Sequence, residues 1–403
     1  MITEQEAVWA TPPSGWVRDY MAFAIKQTTA PAGYHLANAL ALLSVTTPTS
    51  YGTSYAGDLY GNIYVLLVGR SGDDQKSSAL GIGKKILYAM QDQLGVPVIG
   101  KQPGSTEGLV DSLVVQPRQI IYYSEFGAFL SKAQKKGSYF EPMKAYYTDL
   151  WDCQPIDRLK ANNVVISQPN PRLSLAAGVS LPFLEQHTEA HDWTGGFMGR
   201  WAVIYSRRER VNPYPKNDWS AVPDLAARLL QRAQLEQAGP CMGLDIQAYN
   251  KWCDWFYELD KRPVPEIISG AKTRIPTIAM KAAMLFAWDF GDPLQNQPWY
   301  INENHLEWGM RFAELHMRSV IGLAKFLAEH ADAQLRRSIL EIIPPGGFKS
   351  LSQLLRASKM KKRTVLEVLD GLVVDGTLRL HAVSGAAGET LYERHAENEV
   401  AFA

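Results

Sequence analysis

The sequence predicts an α/β fold, a mostly parallel sheet with helices on both faces, with helical extensions and a small C-terminal domain of another kind. Three observations carry that expectation. Four apolar, β-rich runs (62–68, 119–126, 173–180 and 202–205) are separated by helical periodicity, the alternation expected of a parallel sheet. The first run passes through a tight polar loop directly into an amphipathic helix starting near Lys76. From about residue 331 the pattern changes to three short helices and a hairpin, rich in lysine and arginine.

Composition narrows the class. A chain of 403 residues has room for two or three domains, and 46% hydrophobic with 20% charged residues is ordinary for globular proteins. Lys plus Arg and Asp plus Glu are 41 each, so no global field attracts nucleic acid and any basic surface is local. Cys153, Cys241 and Cys253 form no C-x-x-C pair, which argues against a zinc site or a disulfide framework and suits a reducing cytosol. The N-terminus has early acids and no signal-peptide pattern, and no run of 18 apolar residues exists. The expected location is the cytoplasm, without a membrane span.

Residues 1–60 read as a helical lead-in, with helices over Trp16–Gln27 and Tyr34–Leu43 and a loop or hairpin over Thr46–Gly61. His35, inside the second, nearly all-apolar helix, reads as a packed residue rather than a ligand. Residues 61–215 form the expected core. The first strand ends in Gly69-Arg70-Ser71-Gly72-Asp73-Asp74-Gln75-Lys76-Ser77-Ser78. Against the phosphate-loop pattern G-x-x-x-x-G-K-[ST], Lys76 and Ser77 match, Arg70 stands at the first glycine position and Gln75 at the second. Backbone N–H groups and a helix N-terminus would face a polyphosphate, Lys76 its outer phosphates and the Ser77 hydroxyl Mg²⁺. Gly69, Ser71, Gly72, Asp73, Asp74, Gln75, Lys76, Ser77 and Ser78 are the candidate cradle. Two features oppose it: Gln75 takes positive φ less readily than glycine, and Asp73 and Asp74 put negative charge near the phosphates. The alternative is an ordinary strand-to-helix turn.

The second strand ends in Ser124-Glu125, where phosphate-loop enzymes commonly have Asp-Glu. Glu125 is the candidate for polarising an attacking water, and Ser124 for orienting a metal-bound water without contributing charge; the alternative for Glu125 is a surface carboxylate at a strand end. Ser131–Gly137 is a basic loop. Ser180 ends the third strand, and either senses a γ-phosphate or precedes the turn at Pro182. Arg200 follows a glycine-rich turn, which fits an arginine donated to a neighbour's nucleotide. Residues 216–330 read as helices over 223–237, 245–260, 275–288 and 303–328, with Trp252, Trp255, Trp288 and Trp308 in the core. Arg274 is placed to reach a phosphate from a lid, with Lys281 as competitor.

Residues 331–403 give helices at 334–343, 350–357 and 361–374, then strands at 377–383 and 389–394 around a Ser-Gly-Ala-Ala-Gly tip, the winged-helix order. Between Arg336 and Arg363 lie eight Lys/Arg and one acid. Lys359, Lys361, Lys362 and Arg363, at or before the third helix, are the candidate DNA contacts, and the alternative is a winged helix packed on protein.

With these pieces placed, residues 30–330 resemble the RecA-like ATPase domain, a P-loop NTPase, of phage and mobile-element primase-helicase proteins. The resemblance rests on Tyr60–Gly69, Lys76-Ser77, Ser124-Glu125-Phe126-Gly127, and Gly195-Gly196-Phe197 ahead of Arg200. It implies a ring-forming (hexamer-type), DNA-dependent ATPase that holds ATP and Mg²⁺ between subunits. By position, Lys76 and Ser77 would bind phosphate and metal, Glu125 would activate water, and Arg200 would act in trans. Arg70, Gln75 and Ser124 depart from the family pattern. The expected function is an ATP-dependent DNA motor, a helicase or helicase loader acting on single-stranded or forked DNA and able to recruit a replication protein. The rivals are a non-hydrolysing nucleotide-binding assembly protein and a DNA-binding regulator that uses the fold as an oligomerisation platform. No primase-type carboxylate cluster precedes residue 60.

Overall fold

In the computed structural model, residues 1–395 are described apart from 56, 96, 160–164, 216, 236–242, 291–299 and 383–389. Cys241 and the 384–388 hairpin tip, both named above, lie outside the described residues. The chain forms two compact units, Met1–Ala324 and Lys325–Ala403.

The first unit opens with helices α1 (Glu4–Trp9), α2 (Gly15–Gln27) and α3 (Ala32–Ser44) and the hairpin β1 (Gly52–Ser54) and β2 (Asp58–Tyr60). Then follow β3 (Tyr64–Gly69), α4 (Lys76–Leu94), β4 (Ile99–Gly100), α5 (Thr106–Val115) and β5 (Arg118–Tyr123). Next come α6 (Phe126–Ala133), α7 (Met143–Trp151), the hairpin β6 (Ile156–Leu159) and β7 (Val165–Gln168), and β8 (Arg172–Ser180). After α8 (Leu181–His187) and α9 (Ala190–Thr194) the last core strand is β9 (Trp201–Tyr205). Helices α10 (Val222–Ala233), α11 (Ile246–Lys261), α12 (Ser269–Lys272), α13 (Ile275–Phe290) and α14 (Glu303–Ile342) complete the run.

Five strands form one all-parallel sheet in the order β4-β5-β8-β3-β9. Every residue of β3, β8 and β9 is buried, which is why these strands read as unbroken apolar runs rather than alternating ones. The pleat separates the two covering layers. Ser174 of β8 bonds Ser44 of α3 at 2.7 Å, on one face. Tyr64 and Trp201 lie on the other, where Trp201 meets Phe126 of α6 and the Tyr64 hydroxyl donates to the Tyr147 carbonyl of α7. At the β9 edge the outward N–H groups of Val203 and Tyr205 donate to His316 Nδ1 and Ser319 Oγ of α14, both at 2.9 Å.

The sequence suggested two helices, 303–328 and 334–343, where the structure has one continuous α14. Ala324, Ala328 and Ala333 help bridge the interval, which has no proline or glycine, and alanine sustains a helix better than any other residue. The short helices α8 and α9 and the hairpin β6–β7 had no expectation, because their apolar residues are too few to show a period, and α6 takes Phe126 from the expected second strand and Ser131–Ala133 from the expected basic loop.

In the second unit, β10 (Phe348–Ser350), α15 (Leu351–Ser358), α16 (Lys362–Val374), β11 (Leu378–Ala382) and β12 (Thr390–Arg394) follow the end of α14. The strands pair antiparallel in the order β10-β12-β11. Ile339, Ile343, Leu354, Val365, Leu369 and Leu372 form the buried core of this unit with Leu378 and Tyr392. Ser350 caps α15 by a capping box with Gln353.

Candidate functional site

In a parallel sheet, ligands gather outside the carboxyl ends of the strands, where neighbouring connections leave in different directions. Here β3 connects through α4 to the far-edge strand β4, whereas β8 connects to β9 on the other side of β3. The loop 70–75 leaves β3 at that point.

Its conformation answers the question posed by the two missing glycines. Gln75 has φ +49° and ψ +37°, the left-handed region, immediately before α4, so the chain makes the turn a glycine would permit even with glutamine there. Gly72 has φ +76° at the loop tip. At Gly69 a Cβ would stand 2.6 Å from the Asp74 carboxylate, so the glycine one residue early is sterically required. The amides of Lys76, Ser77 and Ser78 open α4 and have no intrahelical acceptor, and Ser77 and Ser78 are exposed. The Lys76 ammonium donates to the carbonyls of Gly69 (3.1 Å) and Arg70 (2.8 Å). Burial pulls its pKa below the ordinary lysine value, while the Asp74 and Glu125 carboxylates pull the other way.

The two aspartates do not fill the cradle, which corrects the expectation for Asp74. Its carboxylate is buried beneath the loop and accepts the amides of Arg70 (2.6 Å) and Arg208 (2.9 Å), tying the loop to the exit of β9. It braces the loop instead of facing a ligand. Asp73 is exposed and pairs with Arg70 at 3.3 Å.

Ser124 and Glu125, both exposed, follow β5 at the same sheet edge. Gly178 of β8 explains how they approach the loop, since a Cβ there would lie 3.3 Å from both the Lys76 Cβ and the Ser124 carbonyl oxygen. Ser180, buried, ends β8 between them and precedes α8. Loop, Lys76, Ser77, Ser124, Glu125 and Ser180 thus form one constellation. Among the described residues no cluster of three or more His, Cys, Asp or Glu could hold a metal ion alone. A divalent cation would therefore need oxygens of a bound ligand beside Ser77.

Three cations named from sequence are elsewhere. Arg200 precedes β9, so it lies at the amino edge of the sheet, opposite the loop. It is 8% exposed, pairs with Asp152 at 2.8 Å and donates to the Gly196 carbonyl at 3.0 Å. The reading of Arg200 as a group presented to a neighbouring subunit is corrected on that ground. Arg274 lies in the same cluster, with its guanidinium over Trp151 and its pKa lowered by burial and by Arg200. It does not reach the loop as a lid residue. Lys281 is buried there too and donates to the carbonyls of Tyr60, Asn62 and Trp151 and to the Asn62 side chain.

Sequence reasoning missed three residues at the loop. The Tyr34 hydroxyl lies 2.7 Å from the Val68 carbonyl and 2.9 Å from that of Ser206, holding the exits of β3 and β9 together. Within an almost wholly apolar helix, nothing marked it. Arg207 and Arg208 are exposed just beyond β9, beside the loop, and only their place after a strand could have flagged them.

In the second unit Lys359, Lys361, Lys362 and Arg363 are all exposed around the turn into α16. Lys359 caps α15 with φ +56°, which makes the turn tight. Arg363 pairs with Glu367 at 2.8 Å, and Arg336 is taken up by Asp332 and Asp375. The open basic surface is therefore Lys359, Lys361 and Lys362, with Arg363 partly offset.

No protein-family model matches the chain, and no curated protein matches its sequence. No helix among the described residues is long and apolar enough to cross a membrane.

Proposed function

We propose that the first unit is a RecA-like P-loop ATPase and the chain an ATP-dependent DNA motor, a helicase or helicase loader working as a homo-oligomeric ring. The observation that carries this is the left-handed turn at Gln75 that delivers Lys76 to the start of α4, at the carboxyl end of a central parallel strand, with Glu125 beyond the strand two places away. The free amides of the first turn of α4 and the Lys76 ammonium bind the outer phosphates. Glu125 positions and polarises the attacking water, and Ser180 reads the phosphate end from β8. Mg²⁺, when bound, supplies charge neutralisation on the phosphates; Ser77 would hold it and Ser124 would orient a water beside it. The second unit acts as a winged helix that contacts DNA phosphates with Lys359, Lys361, Lys362 and Arg363.

ATP turnover with and without single-stranded DNA, for wild type, Lys76→Ala and Glu125→Gln, tests this reading. DNA-stimulated turnover that disappears in both variants supports the motor. Binding of ATP without turnover in the wild type favours the second reading, a nucleotide-dependent assembly protein, for which the uncharged Ser124 is the specific observation. A Lys361/Lys362/Arg363 triple alanine should flatten the salt dependence of DNA binding by up to about three units of log–log slope.

A further inference from the structure

Helix α11 turns an apolar stripe outward. Its inner face is fastened to the body of the first unit. Ala248, Trp252 and Leu259 are buried, Trp252 packs edge-on to Tyr55 at 5.2 Å, and Lys251 pairs with Glu303 (3.0 Å) and Glu307 (2.8 Å) of α14. Those contacts fix which side faces water. On that side Ile246, Tyr249, Phe256 and Tyr257 stand 73%, 54%, 38% and 64% exposed, with the half-buried free thiol of Cys253 among them. Ile246, Tyr249, Cys253 and Phe256 follow one another at steps of three, four and three residues, the a/d spacing with which one helix beds against another.

Area and charge decide what covers the stripe. The exposed side chains leave about 400 Å² of apolar surface, the size of patch that serves in recognition. Its border, Asp254, Glu258 and Asp260 against Lys261, is net acidic and repels a nucleic acid. Two such faces with their polar borders bury on the order of 1,000 Å², the lower limit for a specific interface. The stripe complements its own copy in one direction only. Laid parallel, each residue meets itself, and Asp260, the next position of the a/d series, meets Asp260 with both helix dipoles aligned. Laid antiparallel, Ile246 meets Phe256 of the second copy and Tyr249 meets its Cys253, each contact made twice by symmetry. Asp260 then passes beyond the start of the opposite helix, where the dipole favours a carboxylate.

We propose that α11 is a self-association surface through which two copies pair, helix against antiparallel helix, as a twofold dimer dissociating on the order of 10 µM. A contact of this kind closes with two copies, so it joins chains in pairs whatever other contacts they make. It draws on no residue of the phosphate loop and needs no nucleotide.

Sedimentation velocity of the full chain without nucleotide, over a dilution series, tests the pairing with Ile246→Lys and Phe256→Glu. Wild type should pair in a concentration-dependent way. Each variant alone should raise the dissociation constant roughly tenfold or more, with far-UV circular dichroism unchanged because both residues are exposed. Mixed in equal amounts, the two variants should associate more tightly than either alone, since the antiparallel register sets each new charge opposite the other. A wild type that stays monomeric throughout overturns the proposal. So does association that both variants retain in full, which would belong to another surface. Variants that lose pairing and do not regain it on mixing overturn the antiparallel arrangement.

Discussion

The two edges of the central sheet each hold a lysine against backbone carbonyls, and the contrast between them separates scaffold from site. At the amino edge Lys281 has four acceptors for its three N–H groups, from Tyr60, Asn62 (backbone and side chain) and Trp151. Arg172 and Arg200 close the same edge, bonding the Thr49 carbonyl and Asp152. Lys281 is saturated, and both terminal nitrogens of Arg200 are engaged. At the carboxyl edge Lys76 has two acceptors, both in its own loop, and a third N–H to give. Ser77, Ser124 and Glu125 around it are exposed. A cation with spare donors beside open first-turn amides can take on an anion; one with every donor used holds strands in place.

Replacing Lys281 should do the most damage. Lys281→Met strands buried carbonyls, and a loss of about 3 kcal/mol or more is expected in urea denaturation. Lys76→Met should keep stability within about 1 kcal/mol yet weaken Mg·ATP binding roughly 10- to 100-fold. If the two substitutions proved equally destabilising, the distinction between the edges would be lost.

The β9 side of the sheet gives the next effect. Burial lowers the pKa of His316 from 6.5 to about 4, and the neutral ring accepts the Val203 amide. Between those values the unfolded chain binds the proton and the folded one does not. Its contribution is therefore present above pH 6.5 and lost as pH falls toward 4, at up to about 1.4 kcal/mol per pH unit. Thermal melts of His316→Gln across this range should show a shallower pH slope than wild type. The smallest effect concerns the loop. Gln75→Gly removes a left-handed glutamine and should raise stability by about 0.5–1 kcal/mol without weakening ATP binding. A destabilised Gln75→Gly would mean that the glutamine side chain, not its backbone, is what the loop needs.

The sheet could be read from the sequence because β3, β8 and β9 are buried on both faces and so consist almost wholly of apolar and small residues. Lys76 and the turn before it were legible for a similar reason, since a helix that opens on a lysine straight after a buried strand gathers a cation and free amides at one point. Asp74 was not. Its carboxylate turns inward to meet the amide of Arg208, a residue distant in sequence that no local pattern connects to it. Arg200 misled because a glycine-rich turn resembles a flexible presenter, although a residue that begins a parallel strand must lie at the edge away from the loop. Its ion-pair partner Asp152, at the end of α7, left no signal of its own. The continuous α14 was divided because its polar middle lacks the periodicity of its ends.

The flank of β9 has a consequence for self-association. Because His316 and Ser319 already take its outward amides, and Ile2 bridges the chain just past its end at Ser206, a second copy cannot dock there by prolonging the ladder. A neighbour that meets this flank does so through the side chains of α14 and not through the backbone of β9.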